Sequence, residues 1–576
     1  MSHMTQRTER FLRARRIDAL FIGLFSLIYA LLSIVCEGYK TSNSFYGVVT
    51  RYSSTLGVIS HYLLCFIITF LAGFIMFSAW RANQRTQKCD KEQRNISTRL
   101  VLAGASIMLI LWLPWIIAHY PGTVRDDTLP QLAQWYGYTS YYTQHPVPVT
   151  LLFGAFASLG DTLGSRSLGL FLFILVQALV TALTFSFALN YFRYRGAPKY
   201  ALIAALLFYS LSRNVYQPID TMSKDAINAP FFILCVVGYI EIVFTRGKML
   251  QDWRSVTGLA LSAVLCIATK RTMLYVLILA LIPMAINCLL NKISTKRVLL
   301  TIIAPIVFAS AILVPAINAS VNAADSQTFE MYSIPVQQMV RTLREHPDAL
   351  SADERDRLSE FIDIDRACSV YNPSRSDEAW TCIYPGASFF DCIDIYFKLG
   401  MRHPLQYLSA TLNMVANWFS VDGSIDYGHD SHEELINEGH MQLWAPLFDS
   451  PEAQQEFFEA IDFRHPESLR PLTSTLEFLD SLQRNLYFVS SYGLYCTLIP
   501  LLFILFAIRT RSAQLVILSM TPFALMLSQL IGPIALYWYT IPSVYLAPIL
   551  LLLPFIVSND EERQLDREPM TSTSSR

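Results

Sequence analysis

Two adjacent carboxylates, Asp126 and Asp127, follow a long apolar run, in a polar stretch that reads Tyr120-Pro121-Gly122-Thr123-Val124-Arg125-Asp126-Asp127. Acidic groups at the lip of an apolar segment are costly to hold there and mark a functional candidate. A carboxylate so placed can act as a general base toward a hydroxyl. Gln131, Trp135 and Tyr136 follow closely and offer hydroxyl-binding and ring-stacking partners, the set that handling a sugar needs. The competing reading is that the aspartates only complement the dipole of the next helix. Thr128-Leu129-Pro130-Gln131 has the form of a capping box with proline in the first turn, so a short helix is expected just after the pair.

Three further groups could act with the acids. His145 precedes Pro146, which bars the helical region for it and holds the imidazole at a turn; a structural histidine is the alternative. Ser223-Lys224-Asp225 opens a later apolar run, one turn after Asp220, and Lys270-Arg271 stands at the next turn on the same expected side. Cations at two such turns suit an anionic ligand such as a phosphate, with snorkelling or mutual pairing as the alternative. The run from Asp422 to Glu434 is rich in His, Asp and Glu, but its order matches no EF-hand loop and lacks a helical His pair, so it reads as a solvated turn. Of the ten cysteines, Cys368, Cys382 and Cys392 share one polar region, where one pair can form a disulfide if that region is extracytoplasmic.

These groups need a scaffold, and composition says which kind. The chain has 576 residues, 53% hydrophobic and 15% charged, against roughly 25% charged in soluble domains. A net charge of -1 gives no electrostatic support for nucleic-acid binding. Apolar runs near the 20 residues that a spanning helix needs fall at about 17–37, 57–80, 100–118, 167–190, 200–214, 226–244, 255–270, 272–291, 298–316, 486–507, 513–533 and 537–557, the fifth and seventh being short. An all-α polytopic membrane protein of about twelve transmembrane helices is expected. Basic residues crowd the N-terminus, 81–99, 193–199, 246–254, 292–297 and 509–511, which one alternation places together on the cytoplasmic side with both termini.

That alternation leaves 119–148 and 317–484 outside, and 149–160 as a re-entrant or interfacial helix. The division is an N-terminal segment with two extra spans (1–99), a membrane core (100–316) holding the first outer loop, a mainly helical extracytoplasmic domain (317–484) inserted before the last three spans, those spans (485–557), and a disordered tail (558–576). Short helices are expected at 335–345, 350–362, 404–419 and 472–484. Ionisable residues noted within the spans are His61 and Glu241, too few for an ion-coupled transporter.

Tyr120-Pro121-Gly122 with Asp127, Gln131 and His145-Pro146, then Lys224-Asp225-Ala226, Thr269-Lys270 and Ser333-Ile334-Pro335-Val336-Gln337-Gln338, together resemble a bacterial branch of the GT-C superfamily of integral membrane glycosyltransferases. The protein O-mannosyltransferases and the lipid A aminoarabinose transferases share that plan. The resemblance covers about 100–560. Two departures are Lys270-Arg271-Thr272-Met273, where the branch often has Arg, a small residue and Gly, and Leu536-Tyr537-Trp538-Tyr539, where it tends to carry an Arg.

The resemblance implies a GT-C-like fold in a bacterial plasma membrane with the active site facing outside. It implies a polyprenyl-phosphate sugar donor, a glycan, lipid or protein acceptor, and inverting transfer. Asp127, or Asp126, would be the base. Lys224, Lys270 and Arg271 would meet the donor phosphate, with Gln131, Trp135, Tyr136, His145 and Asp225 binding substrate. No cofactor is firmly implied, and a divalent metal is left open. A polymerase or ligase of lipid-linked glycans and a lipid-sugar transporter without chemistry are the alternatives.

Overall fold

The computed structural model describes residues 2–86, 95–125, 127–326, 329–425, 445, 448, 450–460 and 465–557. Each of the twelve apolar runs is helical. Among the described residues, nine helices are long and apolar enough to cross a membrane: α1 (Ser2–Ser42, apolar from Arg15), α2 (Thr55–Thr86), α3 (Thr98–Ala118), α6 (Arg166–Tyr194), α8 (Lys224–Phe244), α10 (Thr272–Leu290), α11 (Thr295–Ser320), α18 (Ala513–Leu530) and α19 (Tyr537–Ile556). Four are shorter: α5 (Val147–Thr162), α7 (Lys199–Leu211), α9 (Trp253–Thr269) and α17 (Leu494–Thr510). Large apolar side chains such as Leu20, Leu24, Ile110, Leu111, Ile282 and Leu300 stand exposed along these helices. Such a surface belongs in lipid, and the protein is a multi-pass helical membrane protein. The 558–576 tail lies outside the described residues.

Ion pairs identify one end of the bundle. Asp18, near the start of the apolar stretch of α1, meets Arg81 from α2 at 2.6 Å and Arg509 from α17 at 3.0 Å. Arg195, just past α6, pairs with Glu241 near the end of α8. The spans also bury Asp18 and Glu37, so the sequence tally of His61 and Glu241 was too short. Glu37 accepts a hydrogen bond from Ser420 Oγ, and Lys40 donates to the same hydroxyl at 3.1 Å.

The opposite end carries the inserted segment. Its helices α12 (Ser333–Glu345), α13 (Ala352–Phe361), α15 (Pro404–Phe419) and α16 (Arg470–Arg484) fall close to the four expected ranges, and α14 (Ile393–Arg402) is a further helix that was not expected. Ser351 caps α13 in a complete capping box with Glu354. Residues from Val336 to Leu399 form a core of their own, whereas Trp418, Phe419 and Phe457 join the core of the spanning helices. The insert is thus half satellite and half continuation of the bundle. Cys368, Cys382 and Cys392 are all unpaired.

A small parallel ladder locks the first long loop to the bundle at this end. β1 (Thr123–Val124) pairs with β2 (Thr221–Met222), Thr123 opposite Thr221 and Val124 opposite Met222. Gln177 of α6 donates to the carbonyls of Ile219 and Thr221 at 2.8 and 2.9 Å. Gly122 sits at φ +105°, and a Cβ there would lie 3.0 Å from the Asp220 carbonyl oxygen, so the turn into β1 needs glycine. From β1 the chain enters α4 (Thr128–Tyr136), and from β2 it enters α8.

Candidate functional site

The ladder sets the starts of α4 and α8 side by side, and two charged groups distant in sequence meet there. Lys224 Nζ donates to Asp127 Oδ2 at 2.5 Å and contacts His145 Nδ1 at 3.0 Å. An ammonium has only donors, so His145 Nδ1 must accept and the ring is neutral with its proton on Nε2. Lys224 and Asp127 are 14% and 29% exposed, and His145 is buried. Burial works to raise the Asp127 carboxyl, but the Lys224 ammonium, aided by His145 and Lys270, outweighs it and holds the carboxyl down to about 2. Burial first, then the Lys224 charge, lowers His145 to about 4 against the pull of Asp127. Near neutral pH the three are a carboxylate, an ammonium and a neutral imidazole.

A second pair lies beside the first. Lys270, at the end of α9, donates to the buried Asp225 of α8, and its Nζ stands 4.8 Å from the centre of the Tyr539 ring. Arg271 donates to the carbonyl of Thr143 at 3.0 Å. A cavity of about 250 Å³ opens next to these groups, with His145 and Arg271 in its wall together with Val147, Leu274, Val314 and Asn318. It lies among α5, α9, α10 and α11, so polar groups and membrane-helix side chains share one hollow.

The remaining predicted residues are placed differently. Asp126 lies outside the described residues. Gln131 donates to Thr150 Oγ1 at 3.0 Å, Trp135 donates to Ser158 Oγ at 3.0 Å, and Tyr136 donates to Asp161 Oδ2 at 3.0 Å under Arg166. The Trp135 ring covers Gly154 so closely that a Cβ there would clash with it. All three side chains bind α4 to α5 and its C-terminal end, and the structure does not bring them to Lys224. The capping box does not form either. Thr128 is already inside the helix and donates to the Met222 carbonyl at 2.6 Å, because the neighbouring ladder offers it a buried acceptor. Of the Asp422–Glu434 run, Asp422 pairs with Arg51 at 2.8 Å, and residues 426–434 lie outside the described residues. Among the described residues no three His, Cys, Asp or Glu groups converge as a metal site, and Asp127 and Asp225 are each committed to a lysine.

Two residues of the site escape a sequence reading. Arg125 is buried, donates to Tyr537 OH at 2.9 Å and lies 4.9 Å over that ring, tying the first loop to the start of α19. This places a guanidinium against the Leu536–Tyr539 segment, which carries none of its own. Glu330, in the turn Phe329–Tyr332, is exposed yet crowded by protein. That desolvation, with Asp127 and Asp377 nearby, raises its carboxyl against Lys224 and Arg271. Backbone bonds from Thr143 N to the Ala324 carbonyl at 3.0 Å and from Ala324 N to the Tyr141 carbonyl at 2.8 Å stitch its segment to the loop before His145. An acid just ahead of the Ser333–Gln338 motif was the only signal for it.

Residues 135–424 match the model of a family of unknown function (DUF6020). The match includes His145, Lys224, Asp225, Lys270, Arg271 and Glu330 and begins eight residues after Asp127. No curated protein and no solved structure matches the chain.

Proposed function

The chain belongs to that family, and we propose that it is a GT-C-type membrane glycosyltransferase moving a sugar from a polyprenyl-phosphate donor to an extracytoplasmic hydroxyl with inversion. One observation carries the reading: Lys224 bridges Asp127 and His145 beside the Lys270–Asp225 pair, next to a cavity walled partly by membrane helices. A carboxylate and two ammonium groups meeting at the edge of lipid suit a reaction in which a hydroxyl loses a proton while a lipid phosphate departs.

The architecture supports the same assignment. The three shorter helices α7, α9 and α17 complete a set of twelve crossings with the nine long ones, and α5 is the re-entrant helix. Arg81, Arg195 and Arg509 mark the end away from the site, so the bias of basic loops toward the cytoplasm turns the site outward. A bacterial plasma membrane is the proposed location.

In the resting site each lysine already has a carboxylate. The incoming phosphate competes for Lys224, and Asp127 loses the cation that keeps its carboxyl near 2. Burial then raises its basicity as the acceptor hydroxyl arrives. Asp127 takes the hydroxyl proton, the acceptor oxygen bonds to the anomeric carbon, and the bond from that carbon to the phosphate oxygen breaks with its electron pair on the lipid phosphate. Lys224 and Lys270 stabilise the charge gathering there, as preorganised cations do best away from bulk water. His145 Nε2–H is left to donate to a phosphate or sugar oxygen. A divalent metal has no convergent ligand set among the described residues, and no step is assigned to one.

The test uses purified protein in detergent, a polyprenyl-monophosphate sugar and a candidate acceptor. Glycosylated acceptor and free lipid monophosphate are the expected products. Release of lipid diphosphate from a diphosphate-linked donor places the protein with the polymerases and ligases. Translocation of lipid sugar in vesicles, with no turnover in detergent, places it with transporters.

A further inference from the structure

Helix α16 of the insert has three faces, one packed on the bundle, one polar, and a third that stands exposed. Thr473 Oγ1 donates to the carbonyl of Ala118, the last residue of α3, at 2.6 Å. Gln483 Nε2 donates to the carbonyl of Leu211, the last residue of α7, at 3.0 Å. Asp480 accepts from Arg213 at 3.1 Å through both oxygens and from Tyr216 OH at 3.0 Å. The helix therefore lies across the ends of two membrane helices. A second face, with Arg470, Ser474, Glu477 and Ser481, is polar.

On the third face Leu472, Leu479 and Leu482 recur at helical spacing with Phe478 beside them, Leu486 follows just past the helix end, and all five are exposed, Phe478 to 63% and Leu486 to 61%. The exposed Tyr487 and Val489 continue the strip toward α17. An apolar arc of this size facing water is unfavourable. Because the helix rests on the ends of α3 and α7, whose own exposed side chains include Leu113, Ile117, Leu207 and Leu211, the arc continues the lipid-facing belt.

We infer that α16 is an interfacial helix that lies in the plane of the bilayer surface, with Leu472, Phe478, Leu479, Leu482 and Leu486 in the acyl region and the Arg470–Glu477 face in water. The occupant of the strip is lipid. The same helix touches the first loop: His465 Nδ1 stands 2.8 Å from the Tyr120 carbonyl and its Nε2 3.0 Å from Thr473 Oγ1. Lipid contact at α16 thereby fixes the height of the segment that leads through Gly122 and β1 to Asp127.

The test reconstitutes the full chain in phosphatidylethanolamine–phosphatidylglycerol vesicles doped with a phospholipid whose acyl chain carries a diazirine near the headgroup. After irradiation, adducts are mapped by mass spectrometry, with Leu24 and Ile28 of α1 reporting that the protein is inserted. Adducts at Phe478, Leu479, Leu482 and Leu486, and none at Ser474, Glu477 or Ser481, are expected. In a Leu479→Asp, Leu482→Asp variant the α16 adducts should fall severalfold while those on α1 persist. Labelled α1 with an unlabelled α16, or equal labelling around all faces of α16, overturns the inference; the former outcome would leave the strip to a protein partner.

Discussion

Lys224 Nζ lies 2.5 Å from Asp127 Oδ2 although 97 residues separate them in sequence. Nothing in either local segment brings them together. The contact exists because β1 and β2 pair in parallel and start α4 and α8 from adjacent points. One short ladder thus converts two separate polar turns into a single charged site.

Asp127→Asn keeps a side-chain oxygen for Lys224 but cannot take a proton. Transfer should fall by about 10²–10⁴-fold, the range for loss of a general base, while thermal stability in detergent changes little. Lys224→Gln is the informative companion. Without the ammonium, burial acts on the Asp127 carboxyl with much less opposition, so its pKa rises from about 2. The acid limb of the kcat/KM profile should then move to higher pH, and the KM for donor should increase. An unchanged profile in Lys224→Gln would remove Lys224 from the control of the base.

His145 gives a pH prediction with the opposite origin. Its folded-state pKa is depressed to about 4, chiefly by burial and then by Lys224. Between pH 6.5, the ordinary histidine value, and about 4, the unfolded chain binds a proton there that the folded chain does not. Stability must therefore decline as pH falls through that window, by about 3 kcal/mol. A His145→Asn variant lacks this contribution. Its thermal midpoint should fall less between pH 7 and pH 4 than that of the parent, and equal slopes would contradict the buried neutral imidazole.

The spanning helices were legible because an apolar run of the right length has few other fates. Four insert helices were legible because charged and apolar residues alternate at helical spacing, as in Ala352–Phe361, whereas Ile393–Arg402 was not expected. Side-chain direction was harder. Trp135 and Tyr136 look like sugar-binding residues in a list, but a helix of nine residues presents whichever face packing selects, and here α5 takes it. Long-range pairs such as Arg125 with Tyr537 depend on which loop ends become neighbours, which local periodicity does not encode.

The Lys270–Asp225 pair should behave as a buried ion pair, since the two side chains are 11% and 2% exposed. Lys270→Met leaves Asp225 without its counter-charge and should cost about 3–5 kcal/mol. Lys270→Met combined with Asp225→Leu removes both charges and should recover much of that loss, because an apolar pair avoids desolvating two ions. Unfolding of Lys270→Met, of Asp225→Leu alone and of the double variant in detergent measures the coupling directly. If both single variants prove as stable as the parent, the pair is not buried in solution. The double variant should still lose transfer, because Lys270 would no longer meet the phosphate.

Gly122→Ala tests whether the ladder sets the site. At φ +105° an added Cβ is strained and would sit 2.8 Å from Ile174 Cγ1 and 3.0 Å from the Asp220 carbonyl oxygen, a backbone atom at the entrance to β2. Strain of this kind costs about 1–3 kcal/mol. The chain can relieve it only by moving β1 away from β2, which carries Asp127 away from Lys224. The ladder gives only Val124 and Met222 to the much larger bundle core, so the thermal midpoint should drop by only a few degrees, as about 1 kcal/mol in a large protein implies. Transfer should fall far more, as expected when reacting groups are displaced by about 1 Å. A Gly122→Ala protein with full activity would show that the Asp127–Lys224 contact does not depend on the β1–β2 register.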